Sequence, residues 1–109
     1  MYNKYKNKRT TLDGIVFDSK KEAARYVELK LLERSGGISN LQRQVRFEIV
    51  PKTAKNKRAR FYVADFLYEA NGRKIIEDVK SVITKKNPVY SLKKALVLWR
   101  YPEFDFKES

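Results

Sequence analysis

The sequence holds neither cysteine nor histidine. Together these absences remove disulfide scaffolds, thiol nucleophiles, serine-histidine triads, structural zinc and histidine-metal nucleases. Acid-base or metal chemistry is left to Asp, Glu, Lys and Tyr, whose hard oxygen ligands suit Mg²⁺ or Mn²⁺ rather than zinc or copper. No stretch approaches the roughly 18 consecutive apolar residues of a membrane span, and the lysine-rich opening MYNKYKNKRTT lacks the apolar core of a signal peptide. An intracellular, cytoplasmic protein without membrane contact is therefore expected. Acidic residues are also scarce: 13 Asp and Glu stand against 25 Lys and Arg, a formal charge of +12. Charge this lopsided calls for a polyanionic partner, nucleic acid first, since the basic stretches carry no large apolar face that would sit in lipid.

What remains suits one compact domain. The 109 residues are 42% hydrophobic and 13% aromatic, enough for a single core. Residues 1–10 read as a flexible basic arm and 11–109 as the domain. TLDGIVFDS reads as a short strand stopping at Asp18-Ser19, where a helix begins and runs to Ser35, ended by Gly36-Gly37. Its 3-and-4 spacing predicts a packed face of Ala23, Tyr26, Val27, Lys30, Leu31 and Arg34. RQVRFEIV at 43–50 alternates as a strand before Pro51, and the basic segment KTAKNKRAR follows. Pro88 opens a second helix through Arg100, with Val89, Leu92, Ala95, Leu96 and Trp99 on its expected apolar side, and EFDFK suits a last edge strand. The order strand, helix, three strands, helix, strand fits an α/β fold in which helices flank a mixed sheet.

The most informative stretch is FYVADFLYEANGRKIIEDVKS, at 61–81. Asn71-Gly72 tolerates the positive φ angles of a type I′ turn, so the runs on either side should form an antiparallel hairpin. A two-residue loop pairs Ala70 with Arg73, and the same register sets Asp65 opposite Asp78 with Lys80 a diagonal neighbour. Alternation then puts Phe61, Val63, Asp65, Leu67 and Glu69 on one face with Lys74, Ile76, Asp78 and Lys80. Glu77 falls on the other face, where a basic partner is expected; a one-residue bulge would reverse that choice. Directly opposed carboxylates repel at about 5 Å between Cβ atoms. They can share a proton, pair with cations or ligate a divalent ion, and the last option turns the repulsion into a site.

VAD ending at Asp65, followed across the hairpin by Glu77-Asp78-Val79-Lys80, resembles the PD-(D/E)XK nuclease superfamily. That superfamily includes restriction endonucleases, Holliday-junction resolvases and mismatch-repair nicking enzymes, and the resemblance spans roughly residues 11–107. FDSKKEAARYVELKLLERSGGISNLQRQ is also similar to the first helix and following strand of small phage-associated members. Ala64 stands where the superfamily name has proline, a residue that neither binds metal nor carries a proton. The resemblance implies a restriction-endonuclease-like mixed sheet with a central antiparallel hairpin at 61–81. It also implies a Mg²⁺- or Mn²⁺-dependent endodeoxyribonuclease, structure-specific for branched DNA or Holliday junctions, acting in the host cytoplasm if phage-encoded.

On that resemblance Asp65, Asp78 and the Val79 carbonyl bind the metal, and Glu22 joins directly or through water. Lys80 orients the attacking water or contacts the scissile phosphate, and Gln44 matches a polar residue near the site. Ser19-Lys20-Lys21-Glu22 is equally a capping box, so Glu22 has two readings, and the resemblance favours the metal. Lys4, Lys6, Lys8 and Arg9 of the arm, with Lys52, Lys55, Lys57, Arg58 and Arg60 of the loop, would hold the DNA backbone. Symmetric cutting of two strands calls for a homodimer, with the Trp99-Tyr101 region or the final strand as contact. Two rival readings are a catalytically silent nucleic-acid-binding module and a basic factor for an acidic protein partner.

Overall fold

The computed structural model describes residues 9–81 and 85–109; of the expected arm, Lys4, Lys6 and Lys8 lie outside the described residues. The stretch expected to be one strand is a hairpin instead: β1 (Thr10–Leu12) and β2 (Ile15–Phe17) pair antiparallel. Asp13 and Gly14, with φ of 52° and 75°, form its turn. Asp-Gly is a reversal signal of the same kind as Asn-Gly, which is why the chain doubles back there.

Helix α1 (Lys20–Arg34) starts where Ser19 Oγ accepts the Glu22 amide at 3.1 Å. It ends where Gly36, at φ +85°, lets the Gly36 and Gly37 amides return to the Glu33 and Leu32 carbonyls. The packed face matches the expected one only in part. Ala23 and Tyr26 pack inward as expected, but Glu22 and Leu29 are buried beside them, while Val27 and Leu31 are 43% and 58% exposed. The helix is rotated because Glu22 and Arg25, both polar, are turned in toward the sheet.

The main sheet has the order β3 (Ser39–Val50), β4 (Arg60–Ala70), β5 (Arg73–Asp78), β6 (Asp105–Glu108). β3 begins at Ser39, earlier than the alternation at 43 suggested. β4 and β5 form the expected hairpin with Ala70 opposite Arg73 and Phe66 opposite Glu77, around Asn71 and Gly72 at φ 52° and 76°. The edge strand β6 runs parallel to β5 and is reached through helix α2 (Pro88–Arg100), the crossover that parallel neighbours need. Asn87 caps α2, accepting the Val89 and Tyr90 amides at 2.8 and 3.3 Å. Here too the expected face is corrected in part: Leu96 packs inward as expected and Val97 is buried with Tyr90 and Tyr101 half-buried beside it, whereas Val89, Leu92 and Trp99 are 62%, 62% and 77% exposed. The polar bonds of the helix decide this, since Tyr90 and Lys94 reach Glu108 of β6 and Tyr101 reaches the Glu48 carbonyl of β3.

Two cores result. Leu29 and Tyr26 of α1 pack with Phe66, Tyr68 and Ile75, while Val97 and Leu96 of α2 pack with Phe47, Ile49, Tyr62, Ala64 and Ile76. Ile75 and Ile76 are consecutive on β5, so the helices cover opposite faces. On β4 the alternation is interrupted. Tyr62 and Ala64 join the α2 core, Phe66 and Tyr68 the α1 core, and Leu67 the α2 core. The switch falls at Asp65, opposite Gln44, whose φ is 52°. The expectation that Phe61, Val63, Asp65 and Leu67 share one face is therefore corrected, because strict alternation stops at the acid itself.

Candidate active site

The registers set one polar row across the main sheet. Gln44 of β3 stands opposite Asp65, between the pairs Arg43–Phe66 and Val45–Ala64. Continuing the β4–β5 register past Phe66–Glu77 sets Asp65 opposite Asp78, and Asp78 pairs with Glu108 of β6. The two aspartates are laced together by way of the main chain. Asp78 Oδ1 accepts the Asp65 amide at 3.0 Å, and Asp65 Oδ2 accepts the Val79 amide at 2.9 Å. Each carboxylate thus takes over a ladder bond where the strands diverge.

Asp65 lines a cleft of about 220 Å³ together with Asp18, Ser19, Lys21, Glu22, Val79, Lys80 and Ser81. Asp78 is fully buried and does not line it. Asp78 Oδ2 is buried without a hydrogen-bond partner, one of the few such side-chain atoms among the described residues. A larger hollow of about 490 Å³, among Asn40, Leu67, Glu69 and Phe104, contains none of the candidate residues.

Glu22, 3% exposed, is held from two sides: Gln44 Nε2 donates to Oε1 at 3.2 Å and the Asp18 amide to Oε2 at 3.3 Å. Half of the capping box is therefore present, because Ser19 caps the helix while the glutamate returns to Asp18 rather than Ser19. Burial, with Asp65 and Asp18 nearby, pushes the Glu22 carboxyl up to about 7. Burial likewise raises Asp65 and Asp78, although Lys80 and the amide bonds pull both down. Three carboxyls resist ionisation here because their protein surroundings supply too little positive charge.

Lys80 adjoins these groups. Its Nζ lies 5.2 Å from the centre of the Tyr90 ring, and its carbonyl accepts Lys21 Nζ at 3.0 Å, tying α1 to the segment that follows β5. Glu77 takes the opposite role on the other face, as the register implied. Fully buried, it accepts Arg25 Nε at 2.6 Å, the Tyr68 hydroxyl at 2.6 Å and the Ser109 hydroxyl at 2.7 Å. Burial pushes its carboxyl up, but these bonds outweigh burial and hold it below the ordinary carboxylate range.

Among the described residues no group of three or more acids forms a ready-made metal cage. The donor chemistry nevertheless fits Mg²⁺, which binds through one or two carboxylates and keeps several waters. Asp65, Asp78 with its unpartnered oxygen, and the Val79 carbonyl are hard oxygen donors of the right kind. Lys52, Lys55, Lys57 and Arg58 are exposed on the loop between β3 and β4, with exposed Arg60 opening β4, and Arg9 is exposed ahead of β1. No helix among the described residues is long and apolar enough to cross a membrane.

Sequence reasoning missed Asp18, which it took only as a strand terminator, and Arg25, although Arg25 lies three residues after Glu22 on one helix face. It also missed Glu108, whose place beside Asp78 depends on a parallel ladder between strands far apart in sequence. No curated protein and no solved structure matches the chain. A family model described as a protein of unknown function, DUF1064, matches residues 2–108. That match covers nearly all of the sequence, and the chain belongs to the DUF1064 family.

Proposed function

We propose that this protein is a metal-dependent endonuclease that hydrolyses DNA phosphodiester bonds, acting on branched DNA such as Holliday junctions during recombination. The observation that carries the reading is Asp78: a fully buried carboxylate with one oxygen unpartnered, bonded to Asp65 and beside Lys80. A buried acid left this way is costly in a purely structural protein and useful in one that binds a cation.

Asp65, Asp78 and the Val79 carbonyl would hold Mg²⁺ or Mn²⁺, with Glu22 joining directly or through water; the ion supplies positive charge to the transition state and an activated water. Lys80 orients that water or neutralises the scissile phosphate. Gln44 fixes the Glu22 carboxyl from the sheet side, and the Val79 and Asp65 amides fix both aspartates, so the acids are pre-organised before substrate arrives. The exposed loop of Lys52, Lys55, Lys57 and Arg58 holds the backbone of the DNA. Where two strands are cut symmetrically the active form is a homodimer, with exposed Trp99 as its contact.

The competing reading, a silent nucleic-acid-binding module, draws support from the same amide bonds, which give the aspartates structural work. Asp78→Asn separates the two. The nuclease reading expects Mg²⁺-dependent cleavage by the unaltered protein and a loss of at least about 100-fold in the variant, with DNA binding kept. Absence of cleavage by the unaltered protein on junction, flapped, single-stranded and duplex DNA, with Mg²⁺ or Mn²⁺, would overturn it.

A further inference from the structure

On the other side of Lys80 from the acidic cleft lies a second concavity of about 350 Å³, walled by Phe61, Val63, Val89 and Tyr90 and flanked by Lys80 and Lys93. Its composition is the reverse of its neighbour's, since apolar and aromatic walls meet two ammonium groups and, among the described residues, no acid lines it. Its origin is in the topology. β5 ends at Asp78 and its pairing with β4 stops at Phe66–Glu77. The Phe61–Ala64 half of β4 therefore has β3 on one side and, among the described residues, no strand on the other. α2 crosses the gap without filling it, leaving Val63 44% and Val89 62% exposed. Cations already stack on its rings: Arg46 sits 4.0 Å from the centre of Phe61 and Lys80 5.2 Å from that of Tyr90.

Apolar walls flanked by cations match the two halves of a nucleotide, the base and its phosphate. A volume near 350 Å³ is within the range of small-ligand sites. Lys80 lines both concavities, so the groove directly adjoins the point where a phosphate held by Lys80 would sit. A base inside a duplex is stacked on both faces and cannot enter; an unpaired one can. We propose that the groove between β4 and α2 receives an unpaired nucleotide adjoining the phosphate at Lys80, so that the protein selects DNA with a single-stranded element at the cut. This deepens the nuclease reading and rests on it only for cleavage at that phosphate.

Binding in EDTA, followed by fluorescence anisotropy with flapped, gapped and fully paired oligonucleotides, tests the groove without cleavage. Val63→Asp and Lys93→Ala alter its wall and its charge, and Val89→Asp, at a more exposed position, guards against misfolding of the first. The unaltered protein is expected to favour flapped and gapped DNA. Each variant should weaken that binding by about tenfold while changing duplex affinity less than about twofold, the effect expected when one base no longer stacks. Equal affinity of the unaltered protein for all three DNAs, or equal losses on duplex and flap in all variants, would overturn the proposal. A protein that prefers flaps in EDTA but cleaves nothing with Mg²⁺ leaves the groove standing and removes the nuclease reading; one that cleaves without preference does the opposite.

Discussion

Glu22 carries the clearest consequence at the scale of single residues. Its carboxyl is raised from an ordinary 4.5 to about 7 by burial and by Asp65, so the folded chain holds a proton that the unfolded chain has released. Stability from this group is fully present below about 4.5 and drains as pH rises through about 7, a change on the order of a few kcal/mol. Asp65 and Asp78, raised in the same direction, add to the slope. Without divalent ions, thermal melts should show the melting temperature falling from pH 5 to pH 8. Addition of Mg²⁺ should raise it more at pH 8 than at pH 5, because only ionised carboxylates reward a cation. A flat profile in both conditions would mean that these acids bind none.

Register made the main facts about Asp78 and Glu77 legible in the sequence. A two-residue Asn-Gly loop leaves one pairing, and that pairing put Glu77 on the face where Arg25 meets it and Asp78 across from Asp65. What could not be read was the break at Asp65. Local alternation continues unbroken through FYVADFLYE, and only the packing of two helices on opposite faces shows that Ala64 and Leu67 lie on one side. The rotations of α1 and α2 escaped for a related reason. Apolar spacing ranks faces by hydrophobicity, whereas these helices are oriented by polar anchors, Arg25 to Glu77 and Tyr90 to Glu108.

Those anchors give the prediction that belongs to whole elements. α1 is pinned to β5 by a pair in which Glu77 is fully buried and the Arg25 side chain is 16% exposed. Replacing Arg25 with Met leaves a carboxylate desolvated and without its main partner, a loss of about 3 to 5 kcal/mol in urea unfolding. Arg25→Met combined with Glu77→Gln should recover much of that loss, since the uncompensated charge has gone. Equal destabilisation of single and double variants would show that packing of the arginine stem, rather than charge, holds the helix.

For the molecule as a whole, the surplus of 12 positive charges predicts that the proposed DNA binding weakens steeply as salt rises. Removing Lys55, Lys57 and Arg58 together should reduce the slope of log affinity against log salt by roughly 2 to 3, about 0.9 for each phosphate no longer neutralised. An unchanged slope would place the DNA on another surface.

The switch of faces at Asp65 divides the interior into two territories, one belonging to each helix, with Gln44, Asp65 and Asp78 drawn along the border. A border of this sort insulates. Substitutions that repack either hydrophobic territory are expected to leave the polar seam in register, because each helix rests on its own face and the seam is tied by bonds to main-chain amides between Asp65 of β4 and Asp78 and Val79.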